Sequence, residues 1–249
     1  MATAKNPQTR RIIPFVLIIA SFCSLARARI IYVDNDAPGT NDGVSWADAY
    51  LCLQDALAVA RSGDEIWVAQ GIHRPDEQFV IVTRTGPQVV GSGDRAATFQ
   101  LRDGMAIRGG YAGFGEPDPD ARDVRLYETI LSGDLNSDDG PAFANNAENS
   151  YHVVTGSGTD ATAVLDGFTV TGGNASDASH GGYGGGMYNN LCRATVTNCT
   201  FSGNCATRGG GMANTGDIRI LFGPTLTNCT FRGNWARWGG GMCIWQYCG

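Results

Sequence analysis

The feature that most limits what this chain can fold into is a block written twice. Asn198 to Met212 reads NCTFSGNCATRGGGM and Asn228 to Met242 reads NCTFRGNWARWGGGM, so eleven of fifteen positions recur at a spacing of 30. A period of that length marks stacked units, each too small to bury its apolar face alone. The period extends one unit back: Leu165 to Gly172 aligns with Val196 to Gly203, and Gly184-Gly185-Gly186-Met187 with the later GGGM runs. This earlier copy carries six extra residues, in the Ser176 to Tyr183 stretch. Length variation confined to one place fits a corner, where a loop swells without disturbing strands.

Period-two alternation points Val196, Cys199 and Phe201 inward, and likewise Leu226, Cys229 and Phe231. Thr197, Thr200 and Ser202, then Thr227, Thr230 and Arg232, face outward. Asn198 and Asn228 fall at a bend, and coils about 4.8 Å apart allow one amide to hydrogen-bond the next. Gly167 holds that position in the earlier copy, so a short ladder is expected. In GGGM the glycines permit tight corners, and Met187, Met212 and Met242 drop into the core. No phosphate loop is present: GxGxxG would need glycine at Met187, Asn189 or Asn214, and no Lys-Ser/Thr follows, so no nucleotide is expected. Asn174, Asn198 and Asn228 match the glycosylation acceptor pattern, but the repeat itself accounts for the last two.

Ile30 to Val33 and Glu65 to Ala69 read as strands. Between them Trp46 to Arg61 carries apolar residues at three- and four-residue spacings, with Ser45 and Asp48 as a near capping box, and predicts a helix. Downstream the chain is short β-type pieces between glycine and polar turns: Phe99 to Leu101, Met105 to Ile107, Thr129 to Leu131, His152 to Val154, Ala163 to Leu165 and Phe168 to Val170 precede the repeats. Thirty-five glycines in 249 residues, about twice the usual fraction, agree with an all-β solenoid and not a sandwich. An amphipathic helix before the first coil would cover an otherwise open core and free strand edge.

The first 28 residues read as a secretory signal: Lys5, Arg10 and Arg11, then an apolar stretch from Ile12 to Leu25, then Ala26-Arg27-Ala28. A spanning helix would need about 20 apolar residues. The remainder holds 14 basic and 24 acidic residues, net −10, and no lysine. Such a surface argues against nucleic acid and anionic lipid. It is compatible with calcium, with neutral glycans or with no charged ligand; glycans or other surface proteins are the expected partners. Seven cysteines follow the leader; zinc is not expected, because no CxxC pair occurs, whereas Cys192, Cys205, Cys243 and Cys248 could pair in an oxidising compartment. The expected organisation is signal peptide 1–28, strand and helix cap 29–72, and coils 73–249.

NCTF, a Gly-Asn pair and GGGM resemble the right-handed parallel β-helix repeats of bacterial surface proteins, close to the GGA-I and FxxN repeats of polymorphic outer membrane proteins. SWADAYLCLQDALAVARSGDEIWVAQG, GDLNSDDG and NSYHVVTGSGTDATAVLDGFTVTGG resemble the amino-terminal half of such proteins. The resemblance covers nearly all of the chain after the leader. It implies a right-handed parallel β-helix; the wider pectin-lyase-like group includes lyases, hydrolases, adhesins and proteins without a known reaction.

In β-helix enzymes the chemistry sits on outward side chains of neighbouring coils, as clustered carboxylates with an Arg or Lys, or as a carboxylate pair. The outward threonines of the best copies cannot supply it, and the reading favours a non-catalytic stalk, adhesin or passenger module. The alternative is a polysaccharide lyase or glycoside hydrolase, with Asp94, Arg95, Asp103, Arg108 and Glu116 as the available acids and bases. GDLNSDDG offers a metal site: Asp134, Asn136 and Asp138 follow the one-three-five oxygen spacing of a calcium loop, with Asp139 adjacent. The match stops there, since the sixth position is Asp139 and the twelfth Asn145. His73, His152 and His180 are isolated and read as surface or turn residues. Differences between the copies (Ser202/Arg232, Cys205/Trp235, Thr207/Arg237, Arg208/Trp238) are where specificity would reside.

Overall fold

A computed structural model describes residues 28–82, 86–177, 181–217 and 223–247. The leader through Arg27, His180 and Cys248 lie outside the described residues. The described chain is β-rich, built of parallel sheets stacked in rungs, an arrangement compatible with a β-solenoid.

The first sheet stacks Ile30–Val33, Glu65–Ala69, Ala106–Tyr111, Val164–Asp166, Thr195–Thr197 and Thr225–Thr227, every neighbour parallel. After a bend, the second sheet stacks Gly71–His73, Thr129–Ser132, Thr169–Thr171, Thr200–Ser202 and Thr230–Arg232. A third, shorter sheet takes Asn174–Ala175, Cys205–Arg208 and Trp235–Trp238. The fourth stacks Phe99–Gln100, Val154–Thr155, Met187–Asn190, Met212–Asp217 and Met242–Tyr247.

Registers match the sequence alignment: Leu165 lies beside Val196, Val170 beside Phe201, Met187 beside Met212 and Met212 beside Met242. The core is therefore made of columns. Ile31, Ile66, Ile107, Leu165, Val196 and Leu226 form one. Phe99, Val154 and the three methionines form another. Phe201 stacks on Phe231 at 4.9 Å with ring planes 8° apart. The third column begins at His73, which pairs with Leu131 and is 1% exposed. This corrects the expectation of a surface histidine: position 73 falls on the inward side of its strand. Neither ring nitrogen has a hydrogen-bond partner, and burial pulls its pKa down to about 4, so it is neutral at pH 7.

Asn198 and Asn228 take the bend with φ of 52° each, and the amide of Asn228 donates to Oδ1 of Asn198 at 2.7 Å. The ladder does not end at Gly167; Asn198 passes its own bond to Oδ1 of Asp166, at 2.7 Å. A second ladder lies at the Gly-Asn pair. Asn204, fully buried, accepts from the Gly173 backbone and donates to the Val170 carbonyl and to Asn234, at 3.0, 2.9 and 3.0 Å. In GGGM the first glycine has positive φ (60°, 66° and 64° at Gly184, Gly209 and Gly239), and a Cβ on Gly211 would stand 2.5 Å from the Gly241 carbonyl. The amide nitrogen of Asn174 is likewise engaged, with the Asn146 carbonyl.

The helix is shorter than predicted, Leu53–Val59 in place of Trp46 to Arg61. Its amino-terminal half is held by other bonds. Ser45 and Asp48 do pair, but the Asp48 carboxylate also takes Thr40, Leu51 donates to Asn41, and Tyr50 bridges Val33 of the first strand. These contacts override the helical spacing. Leu53, Ala56 and Leu57 join the main core cluster. An antiparallel hairpin, Glu77–Val82 with Gly86–Gly91, was not expected. Cys52, Cys192, Cys199, Cys205, Cys229 and Cys243 are free thiols, so none of the described candidates for pairing is bridged.

The two Asn positions separate cleanly in stability. Asn204→Ala strands a buried N–H and carbonyl and is expected to cost about 3 kcal/mol. Asn228→Gly, which keeps the positive φ and loses one exposed bond, is expected to cost under about 1 kcal/mol. Denaturant unfolding of the two variants checks the difference.

Candidate functional site

The outward column of the first sheet runs Tyr32, Trp67, Arg108, Asp166, Thr197 and Thr227. Period-two alternation thus sets an aromatic, a cation and a carboxylate on successive rungs. Arg108 bridges the rungs on either side, reaching Oε2 of Glu65 at 3.3 Å and Oδ2 of Asp166 at 3.0 Å. Arg122, from the loop joining the first and second sheets, reaches the same Asp166 oxygen at 3.0 Å. Trp67 stacks on Tyr111 at 4.5 Å and donates to Glu65 at 2.9 Å, while Tyr32 and Trp46 close the aromatic wall.

Two carboxylates and two arginines therefore converge on one face, but they neutralise each other. Burial pushes the Asp166 carboxyl up; bonds from Asn198 and Thr197 and the charges of Arg122 and Arg108 outweigh it and hold it below its ordinary value. The Trp67 N–H, helped by Arg108, lowers Glu65. Burial tends to lower Arg108, yet Glu65 and Asp166 raise it overall. Both carboxyls are thus ionised and the arginine is protonated at neutral pH, leaving neither a general acid nor a guanidine base.

Of the sequence candidates only Arg108 joins this cluster. Asp94 caps its own turn at the Ala96 N–H, Arg95 reaches the Asn149 carbonyl and lies over Tyr151, Asp103 accepts from the Asp160 N–H, and Glu116 is exposed. Glu65, Asp166 and Arg122 escaped the sequence reading. Beside the Asn ladder a shallow groove is lined by Arg125, Glu128, Thr169, Thr200 and Thr230, with Glu128 as its carboxylate, bonded to Thr169 at 2.8 Å.

The acidic corner follows the second sheet's third-coil strand. Asp134 accepts from the backbone of Asp138 and Asp139, which curls the loop so that one oxygen each from Asp134, Asp139 and Glu148 lie within 4.8 Å of one another. Glu148 enters from a 3-10 turn, Asn146–Glu148, and was not a sequence candidate. Asn136 and Asp138 are exposed and stand outside this trio. Arg74 holds the Asp134 carbonyl at 2.8 Å and Asn149 holds Asp139 at 2.7 Å. Asn149 is 1% exposed with Oδ1 unpartnered, and Oε1 of Glu148 is a buried oxygen without a partner. Burial, then Asp134 and Asp138, raise the Asp139 carboxyl; burial, then the three aspartates, raise Glu148. This donor set, three carboxylates with spare oxygens, fits a hard cation.

Comparison of the chain with protein-family models, curated proteins and solved structures returns no match. Among the described residues no helix is long and apolar enough to cross a membrane.

Asp166→Asn leaves Arg108 and Arg122 short of a carboxylate and is expected to cost about 2 kcal/mol at pH 7. A depressed carboxyl stabilises above its unfolded pKa and loses that contribution as pH falls through the folded value. Unfolding curves of wild type and variant should therefore converge under acid conditions.

Proposed function

We propose that this chain is a right-handed parallel β-helix, capped at its first rung by Leu53–Val59, that works without catalysis as an exported, cell-surface stalk, adhesin or passenger module. The observation that carries the reading is the ion-paired state of the cluster of Glu65, Arg108, Arg122 and Asp166 on the outward face. The regular coils present threonine, serine and arginine outward, and the convergence of Glu65 and Asp166 with Arg108 and Arg122 holds its protons in the wrong places for acid–base chemistry. The leader pattern in residues 1–28 and the resemblance to polymorphic outer membrane protein repeats support export. Glycans or other surface proteins are the expected partners; the acidic character speaks against nucleic acid, and the missing phosphate-loop pattern against a nucleotide.

The convergence of Glu65, Asp166, Arg108 and Arg122 favours one second reading, a polysaccharide lyase or glycoside hydrolase. Acidic and neutral polysaccharides, assayed with and without calcium for unsaturated or reducing-end products, separate the two. We expect no turnover. Turnover that vanishes in Arg108→Gln would overturn the non-catalytic reading.

Calcium at the acidic corner completes the proposal, with Asp134, Asp139 and Glu148 as ligands and Asn136 and Asp138 at its rim. A cation bound at ten times its Kd stabilises the fold by about 1.4 kcal/mol. Calcium is thus expected to raise the melting temperature of wild type but not of Glu148→Gln or Asp139→Asn. Because both carboxyls are raised, the shift should weaken as the solution is acidified. An equal shift in wild type and both variants would rule the corner out.

A further inference from the structure

The sequence holds a single Asp-Pro pair, Asp118-Pro119. It lies in the loop joining the first and second sheets, at a tip where Phe114 to Asp118 are all exposed. The loop has a fixed shape. Its base is an antiparallel bridge between Tyr111 and Arg122; Ala112 donates to the Ala121 carbonyl at 2.9 Å and Gly113 to the Pro119 carbonyl at 3.1 Å. Asp118 opens a turn that closes with a bond from the Ala121 N–H to the Asp118 carbonyl, at 3.1 Å. From outside, Trp46 donates to Asp120 at 2.8 Å, and Asp34 accepts from the Phe114 N–H at 2.6 Å.

Three features meet at this one peptide bond. Proline makes it a tertiary amide, whose nitrogen takes a proton and departs more readily than that of an ordinary peptide. The Asp118 carboxyl has no hydrogen bond or ion pair among the described residues, so it is free to turn onto its own carbonyl carbon. That attack closes a five-membered ring, with the advantage of an intramolecular nucleophile. The Ala121 N–H already bonds the carbonyl oxygen, which gains charge as the ring closes.

We propose that Asp118-Pro119 is a self-cleaving bond, cut in acid by the Asp118 carboxyl without a protease, and that the fold holds the two pieces together afterwards. The carboxylic acid adds through one oxygen to the Asp118 carbonyl carbon, the C–N bond to Pro119 breaks, and the acid's proton goes to the proline nitrogen. One water then opens the cyclic anhydride, restoring the side-chain carboxyl and leaving a second carboxyl at the new chain end. One peptide bond and one water are consumed, and nothing is oxidised or reduced. Because the departing proton comes from the carboxyl, the cut accelerates as the solution is acidified. The charged groups on the same loop are Glu116, Asp120, Arg122, Asp123 and Arg125; Asp34, Asp36 and Tyr32 face the loop from the first strand and the turn after it. Arg122 is committed to Asp166 and Arg125 lies by Asp123, so neither cation holds the Asp118 carboxylate.

Three ladders cross the cut. Ala106–Tyr111 pairs with Val164–Asp166, Gly71–His73 with Thr129–Ser132, and Phe99–Gln100 with Val154–Thr155, each joining a strand before Asp118 to one after it. The pieces therefore remain one folded body, with a proline ammonium and a new carboxylate added beside the aromatic wall. Such a step goes beyond the surface-module reading and holds whether or not that reading does.

The full chain is incubated at about pH 4, where ordinary aspartates titrate, and at neutral pH, folded and unfolded in urea. Intact mass follows the pieces, and circular dichroism shows that the folded sample stays folded. The acid sample should yield one piece ending at Asp118 and one beginning at Pro119, the neutral sample none. The folded chain should cut about tenfold faster than the unfolded one, because only the turn holds the Ala121 N–H on the carbonyl. Asp118→Glu, which keeps the charge but must close a six-membered ring, and Pro119→Ala, which restores an ordinary amide, should each slow the cut about tenfold. Should either variant fail to fold, the folded and unfolded wild type still decide. The pieces should leave a sizing column together at the volume of the uncut chain. No cut in the folded chain, or equal rates folded and unfolded, would overturn the proposal, the latter by making the cut a property of the dipeptide alone. An undiminished cut in Asp118→Glu would do so too, by pointing to a protease, and pieces that separate on the column would overturn the retained body.

Discussion

Backbone hydrogen bonds between successive parallel rungs are the constraint on which the rest of this molecule depends. They fix like residues above like, so the spacing of 30 in sequence becomes a spacing of one strand in space. Every other regularity follows from that registration. Columns of Ile, Leu and Val, of Phe, and of Met exist because the ladder repeats the inward positions. A one-residue slip would turn each column outward, and the period-two pleat makes that cost large.

Corners are harder than strands, because a coil must turn while its backbone groups stay bonded to the coils on either side. The asparagines solve this at two corners in different ways. At the bend, Asn198 and Asn228 adopt the left-handed conformation and link to each other, ending on Asp166. At the Gly-Asn pair, Asn204 lies inside and binds peptide groups of its neighbours. The exposed ladder tidies a turn; the buried one replaces water for groups that have no other partner. One consequence reaches the outer face. Asp166 receives the last bond of the bend ladder and two arginines, so its charge is committed to structure before any ligand arrives.

The repeats were legible because their register is written into the alignment, and so were the inward columns, the bend asparagines and the role of GGGM. The same alternation carried upstream places Trp67, Arg108 and Asp166 on one outward column, but without the period-30 identities nothing in the sequence fixes the register of those rungs. His73 shows the same limit: its strand, Gly71–His73, has one apolar residue, Ile72, and that one faces out, 43% exposed. The helix was overread because Asn41, Thr40 and Val33 are far enough away in sequence that their claims on Leu51, Asp48 and Tyr50 leave no local sign. Glu148 was missed because a calcium-loop template looks twelve residues on, whereas a 3-10 turn delivers the third carboxylate from position 148.

Along the outer surface the described arginines are satisfied in two ways, by carboxylates and by aromatic rings. Near the first rungs, acids outnumber arginines, and Arg108 finds a carboxylate on each side. Near the last rungs the acids run out, and Arg208 and Arg237 lie over aromatic rings, as Arg95 already does over Tyr151. A carboxylate partner cancels the charge that a ligand would feel; a ring fixes the guanidinium while leaving its charge in place. The scaffold positions of the block are shared between coils, and two of the four places where the copies disagree hold Arg208, Trp238 and Arg237, while Tyr183 and Trp245 reach Arg208 from outside the block. A surface that reads the same rung after rung could support a long stalk but could not distinguish one ligand from another.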